Sequence, residues 1–442
     1  MRKAFGTVSV MWLASLGGSA LAFLTQVVLA RALAPAGYGA FAAALATVTL
    51  VVPLAGFGVS DLWLKAFGAE GSSAVRWLPA SFCFAALSTA AVFVVLVAWT
   101  AWGPHETATR QLLYWLSPVC AGQLLIGLVG AKLQLEERYG AFAIWNLLPN
   151  LARLFLVLLL TAMATQTTPS AVATAYALVA VAVAASGVVL LRAMSQGHFV
   201  IKGHSSAVPA DGERRAVAHR IRLRDVVQEA SPFGLGSVFH LIYFQSAIVM
   251  LQYLQGGVAA GIYNVAFIVM AAAYLLPSTV FQKFLLPKIH RWANHDRARF
   301  LQVYRFGNGL MLLLGVVTAV AIFALGPWLV PLLFGAAYRE ASALLKLLAF
   351  CVPMRFLASS AGAALMTQDN MRRKNLYMAA VAVINVLLNL SLIPLLAATG
   401  AAIATLLSEI ILLALYLIAV RRHVFGPEAW RGWTLRYRSS RV

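Results

Sequence analysis

YGAFAIWNLLPNLARLFLVLLLTAM, Tyr139 to Met163, is long and apolar enough to cross a membrane as one helix, yet it carries a polar stripe. Asn146, Asn150 and Arg153 recur at i, i+4 and i+7, which places them along one side of a helix. If the helix enters hydrocarbon near Gly140, Arg153 lies roughly 20 Å in, near the bilayer centre, at about 1.5 Å rise per residue. From that depth it cannot reach either surface, and its insertion costs about 2.5–3.5 kcal/mol. Two readings compete: a structural arginine paired within a helix bundle, or an arginine that faces a water-filled cavity and meets an anionic substrate.

The composition decides the class. Of 442 residues, 62% are hydrophobic and 11% charged, with a mean hydropathy of +0.83. That describes an all-α integral membrane protein. The net charge of +20 could suit nucleic acid, but no segment is long and polar enough to form a solvated binding module. Cys83, Cys120 and Cys351 sit in apolar runs without disulfide or metal spacing, which makes them packing residues. The chain has no phosphate loop, no H-E-x-x-H and no nucleophile elbow, so the expectation is no enzyme and no cofactor. The run from Val8 to Ala30 exceeds the signal-peptide core of about 7–15 residues and is read as a retained first span.

Twelve apolar runs follow one another, near residues 8–30, 40–62, 78–101, 111–135, 141–163, 171–191, 230–253, 258–282, 306–326, 341–366, 376–396 and 400–420. With the N-terminus inside, the outer loops hold only Arg31, Arg110 and Arg339. Arg153, Lys346 and Arg355 fall inside spans. All other Lys and Arg belong to inner loops, span ends and tails, an asymmetry that orients both termini to the cytoplasm. The basic loops suit contact with anionic membrane lipids. A polar, turn-rich linker over 192–229 divides the chain. The expected domains are therefore a six-helix lobe over 1–191, the linker, a second six-helix lobe over 230–420 and a cytoplasmic tail over 421–442. The apolar segment Pro327–Glu340 is too short to span and is expected in the outer interface.

The halves echo each other. Pro53 follows Gly37 of Ala36-Gly37-Tyr38 by sixteen residues, and Pro277 follows Gly261 of Ala260-Gly261-Ile262 by sixteen. Asn146/Asn150 have a counterpart in Asn385/Asn389, and Pro118 in Pro353. Two lobes with even span counts both start inside, so they are parallel repeats related by a pseudo-two-fold axis along the membrane normal. Such repeats serve alternating-access transport with a site near the midplane.

The interior polar residues are the candidate site. Arg355 lies about 21 Å deep in the tenth span, whereas Lys346 is about one turn in and can snorkel. Nine residues separate them, which puts them on opposite faces of an ideal helix unless Pro353 kinks it. Asn385 and Asn389 either hydrogen-bond helices together or recognise hydroxyls. His240 and Tyr243 fall near the midplane, with His240 either packed or titrating. Glu409 is the acidic residue well inside the membrane, available to neutralise an arginine or to carry a proton. Asp61 is expected to pair with Lys65 at i, i+4, and Ser15, Gly18, Ser19 and Ala22 form a small-residue packing face.

The stretch from Thr25 to Lys65 resembles the opening of Wzx-type bacterial polysaccharide flippases. Ala30-Arg31-Ala32-Leu33, Gly37-Tyr38-Gly39 and the Gly56-Phe57-Gly58 turn carry the likeness. In the second half, LVPLLFGAAY (Leu329–Tyr338), INVLLNLSLIP (Ile384–Pro394) and GAAIAT (Gly400–Thr405) are similar to segments of that family. The resemblance implies membership of the superfamily that also holds lipid II flippases and MATE antiporters. It implies translocation of undecaprenyl-pyrophosphate-linked oligosaccharide from the inner to the outer leaflet of the bacterial cytoplasmic membrane. Polysaccharide polymerases and glycosyltransferases are the implied partners, and Arg153 and Arg355 match the family's cationic cavity in kind. The alternatives are a MATE-like drug or cation antiporter and a polysaccharide polymerase or ligase. No outer loop is long enough for the chemistry of the latter.

Overall fold

A computed structural model describes residues 2–164, 166–196, 221–278, 289, 292, 296–366, 371–430 and 433. Most of the expected linker and of the tail lies outside these residues. Every regular element among the described residues is helical, as an apolar surround requires, because a helix satisfies its backbone N–H and C=O groups within itself. The main helices are α1 (Arg2–Val51), α2 (Val59–Glu70), α3 (Leu78–Trp102), α4 (Thr107–Leu116), α5 (Val119–Leu135), α6 (Tyr139–Met163) and α7 (Pro169–Ser195). They continue with α8 (Leu223–Gln255), α9 (Gly257–Ala273), α10 (Arg297–Phe334), α11 (Ala341–Ala349), α12 (Cys351–Ala364) and α13 (Met371–Val420). The chain divides into two compact units, one of residues 1–33 and 44–241, the other of residues 34–43 and 242–442.

By length and apolarity, seven helical stretches among the described residues can cross a membrane, or eight if the bent pair α11–α12 is one span. This is fewer than the twelve apolar runs because neighbouring runs fuse and because the eighth is described only as the 17-residue helix Gly257–Ala273. One stretch, Ala14–Trp102, covers 89 residues, far beyond the roughly 20 that one crossing needs. Helix α1 breaks once, at Ala34 (φ 53°, ψ 170°), followed by Pro35. Helix α13 breaks once, at Ala397 (φ 49°, ψ −131°), in the gap between two apolar runs. Alanine in the left-handed region costs about 1–2 kcal/mol, so surrounding packing must hold both breaks.

Proline explains two further interruptions. Pro118 stands between α4 and α5, and Pro353 lies just after the 42° bend between α11 and α12. A proline has no N–H for the carbonyl four residues back, which for Pro353 is that of Ala349, the last residue of α11. In the segment from Pro327, expected at the outer interface, the prolines end nothing: α10 continues through Pro327 and Pro331 to Phe334.

In the first unit, Trp63 and Phe67 of α2, Leu128 of α5 and Val183 of α7 are buried in one apolar core. The turn feeding α2 requires its glycines: Gly56, Phe57 and Gly58 have φ of 71°, 29° and 84°. A side chain on Gly58 would stand 2.6 Å from the Ala230 carbonyl oxygen of α8. Lys65 does not pair with Asp61; its ammonium lies 2.7 Å from Glu229 of α8, and both side chains are about half exposed. Cys83 is exposed rather than packed.

In the second unit, the start of the post-break part of α1 crosses α9 backbone to backbone. A Cβ on Gly39 would overlap the Gly257 carbonyl, one on Gly257 would stand 2.6 Å from the Ala36 carbonyl oxygen, and one on Gly261 would overlap the Pro35 carbonyl. Beside the crossing, Asn264 Nδ2 donates to the hydroxyl of fully buried Tyr38 at 2.9 Å, and the Tyr338 ring meets Tyr38 edge-on at 6.1 Å. Gly257→Val should therefore lower stability by about 3 kcal/mol, the upper end of overpacking. Gly68→Ala, inside α2 where nothing lies within 4 Å, should instead raise stability by about 0.5–1 kcal/mol in thermal unfolding in detergent.

Candidate functional site

Each unit carries one arginine expected at mid-depth, and their surroundings differ. Arg153 sits on α6, its guanidinium carbon 5.1 Å from the centre of the Tyr176 ring on α7. Its Nε is buried without a hydrogen-bond partner, and no carboxylate among the described residues pairs with it. A desolvated cation–π contact is worth about 2 kcal/mol, which falls short of the roughly 2.5–3.5 kcal/mol that insertion costs. The remainder must come from water or from an anion.

The stripe expected beside Arg153 is present on α6. Asn146 Nδ2 donates to the Phe142 carbonyl at 2.9 Å and Asn150 Nδ2 to the Asn146 carbonyl at 3.2 Å. Both amides are thus tied to the preceding turn, and both residues remain half-buried. The small-residue face of α1 packs here: a Cβ on Gly18 would stand 3.3 Å from Asn150 Nδ2.

Arg355, on α12, is locked. Its Nε donates to Glu409 Oε1 at 3.0 Å and its Nη2 lies 2.7 Å from the same oxygen. Glu409, on α13, is 1% exposed and Arg355 9%. Three rings surround the guanidinium, those of Phe244 at 4.8 Å, Tyr243 at 5.1 Å and Tyr274 at 5.2 Å. The cluster is therefore a neutral, aromatic-walled ion pair. Of the expected site residues, Tyr243, Glu409 and Arg355 come together here.

Others do not join them. Asn385 and Asn389 are fully buried and hydrogen-bonded within the second unit. Asn385 accepts from Ser246 Oγ at 3.0 Å and donates to Ser408 Oγ at 3.0 Å. Asn389 Nδ2 donates to the Asn385 carbonyl at 2.8 Å. They tie α8 to both parts of α13. Lys346, on α11, places its ammonium 5.3 Å from the Phe323 ring centre. His240 is exposed on α8, one turn from buried Tyr243. The residues that sequence reasoning missed are aromatic: Tyr176, Phe244 and Tyr274. A tyrosine inside an apolar run, as in Thr174-Ala-Tyr176-Ala, was the available signal, since its hydroxyl needs a reason to be there.

The comparisons with known proteins fit this architecture. A family model described as polysaccharide biosynthesis protein matches residues 7–292. A comparison with curated proteins finds no match. Among solved structures, the chain is similar to the lipid II flippase MurJ in an inward closed conformation, at 14% identity and a TM-score of 0.69, over 93% of this chain and 87% of that one. It is also similar to a multidrug resistance MATE family transporter in an inward-facing conformation, at 12% identity and a TM-score of 0.65, over 92% of this chain and 94% of the other. A transporter of the same superfamily from Pyrococcus furiosus is similar at 11% identity and a TM-score of 0.59, over 94% and 95%. The chain is an all-helical, multi-pass membrane protein with the fold shared by these transporters, and it belongs to the polysaccharide biosynthesis protein family.

Proposed function

We propose that this protein flips undecaprenyl-pyrophosphate-linked oligosaccharide units from the inner to the outer leaflet of the bacterial cytoplasmic membrane. Twelve spans in two six-helix lobes (1–191 and 230–420), with both termini in the cytoplasm, are part of that proposal. So are polysaccharide polymerases and glycosyltransferases as partners. The observation that carries it is Arg153, stacked on Tyr176 with a buried Nε and, among the described residues, no carboxylate or hydrogen-bond partner for it. An anionic pyrophosphate supplies the hydrogen bonds and charge that this site lacks. Asn146 and Asn150 offer their side-chain carbonyls to sugar hydroxyls on the same helix face.

The second arginine takes a different role. Arg355 is already neutralised by Glu409, so it contributes to substrate only when that pair opens. The Arg355–Glu409 pair, with Tyr243 beside it, is proposed as the coupling element. His240 is a peripheral titrating group and Lys346 a cation toward the outer end, while Asn385 and Asn389 hold the helices around the pair. The competing reading, a MATE-like antiporter of cationic drugs, draws on the fold likeness and on Glu409. A carboxylate held by a guanidinium attracts a cation weakly, which favours the anionic substrate.

Arg153→Ala should abolish surface polysaccharide at wild-type protein level. It should also weaken binding of the lipid-linked sugar by about 1.5–3 kcal/mol, the worth of charge-assisted hydrogen bonds, or roughly 10- to 150-fold. Wild-type polymer output would refute the role. Arg355→Met or Glu409→Leu alone should cost about 3–5 kcal/mol by stranding a buried charge, whereas the double substitution should regain most of it. Thermal unfolding of the three variants tests this. Drug susceptibility of cells carrying Glu409→Gln should equal that of wild type; a change would favour the antiporter.

A further inference from the structure

A groove of about 780 Å³ runs between α3, α5 and α7 in the first unit, and Arg153 is not among the residues that line it. Phe82, Phe93, Leu125, Leu128 and Val188 form its walls, and Arg192 and Ser195 line it at the C-terminal end of α7. Phe93 and Val188 are exposed, so the groove opens onto the medium that surrounds the helices. Its size falls within the roughly 300–1,000 Å³ of sites that enclose a small organic molecule.

The polar atoms along the groove are already satisfied, with one exception. Thr89 Oγ1 donates to the Ala85 carbonyl at 2.6 Å and Ser195 Oγ to the Arg192 carbonyl at 2.8 Å. The Arg192 side chain is exposed and has no ion pair or hydrogen bond among the described residues. Glu136, at the end of α5, is held by Lys132 at 3.3 Å and by Arg138 at 3.4 Å. Lys132 in turn donates to the Leu190 carbonyl at 3.0 Å, two residues before Arg192. The groove thus joins an apolar trough to an unopposed cation, at the end of α7 that leads into the basic linker.

We infer that this groove holds an acyl chain of an anionic phospholipid whose phosphate rests on Arg192. Basic sites between membrane helices at the cytoplasmic side suit such headgroups. The lipid is a resident of the membrane rather than the substrate in transit. Arg192 follows Tyr176 by sixteen residues on α7, which puts it about 24 Å farther along the helix and roughly 160° round from the face that meets Arg153. A phosphate on Arg192 therefore addresses neither the site nor the side used by Arg153.

The test uses the full chain, purified in detergent with equal phosphatidylglycerol and phosphatidylcholine, and native mass spectrometry of the retained lipid. Wild type should retain phosphatidylglycerol about fivefold over phosphatidylcholine, the preference expected from one cation near a headgroup. Arg192→Gln should bring the ratio near one while lipid is still retained. Ala90→Trp, at an exposed position lining the groove, should remove both lipids. Equal retention of the two lipids by wild type, or an unchanged preference in Arg192→Gln, would overturn the inference. Displacement of phosphatidylglycerol by undecaprenyl phosphate would overturn it too, by making the groove a substrate site. Because Arg153 is intact in every variant, polysaccharide output reports separately on the flippase proposal.

Discussion

A guanidinium in hydrocarbon must be paired, stacked or wetted, and this chain treats its two deep arginines in opposite ways. Arg355 receives a carboxylate and three rings, which closes its electrostatics inside one unit. Arg153 receives the Tyr176 ring and, among the described residues, no carboxylate. Removing a lone buried charge from water is expensive enough that a partial partner does not suffice. On the proposed function this asymmetry divides the roles: the neutral pair serves as internal machinery, and the stacked cation as the group with charge left to offer.

Backbone satisfaction governs the scaffold around these sites. An apolar surround tolerates a break only where neighbouring protein covers the exposed groups. The breaks are few and each has a cause: left-handed alanines in α1 and α13, prolines at 118 and 353, and the glycine turn before α2. The Gly39–Gly257–Gly261 crossing serves the same end, since two helices without side chains at the contact bring their backbones into direct packing.

Much of this was legible beforehand. The polar stripe on α6, the burial of Glu409 and the special backbone at Gly56-Phe57-Gly58 follow from residue type and spacing. The partner of Arg355 was open because two residues 54 positions apart meet only through tertiary packing, and no periodicity reports that. Lys65 illustrates the same limit: the local i, i+4 partner Asp61 loses to Glu229, which lies 164 residues away. Span boundaries were only partly legible for another reason. Hydropathy marks where apolar runs end, whereas successive helices abut directly across strained junctions such as Ala34 in α1 and Ala397 in α13.

The glycine crossing also sets a timetable for biogenesis. Gly39 leaves the ribosome more than two hundred residues before Gly257, so at about 5–20 residues per second the early segment waits roughly 10–45 s for its mate. During that interval the bare backbone at Gly39 has only lipid, or the insertion machinery, to lie against. The second unit is therefore sealed late in translation, and a stall in synthesis between the two segments would leave the early one as a substrate for membrane quality control.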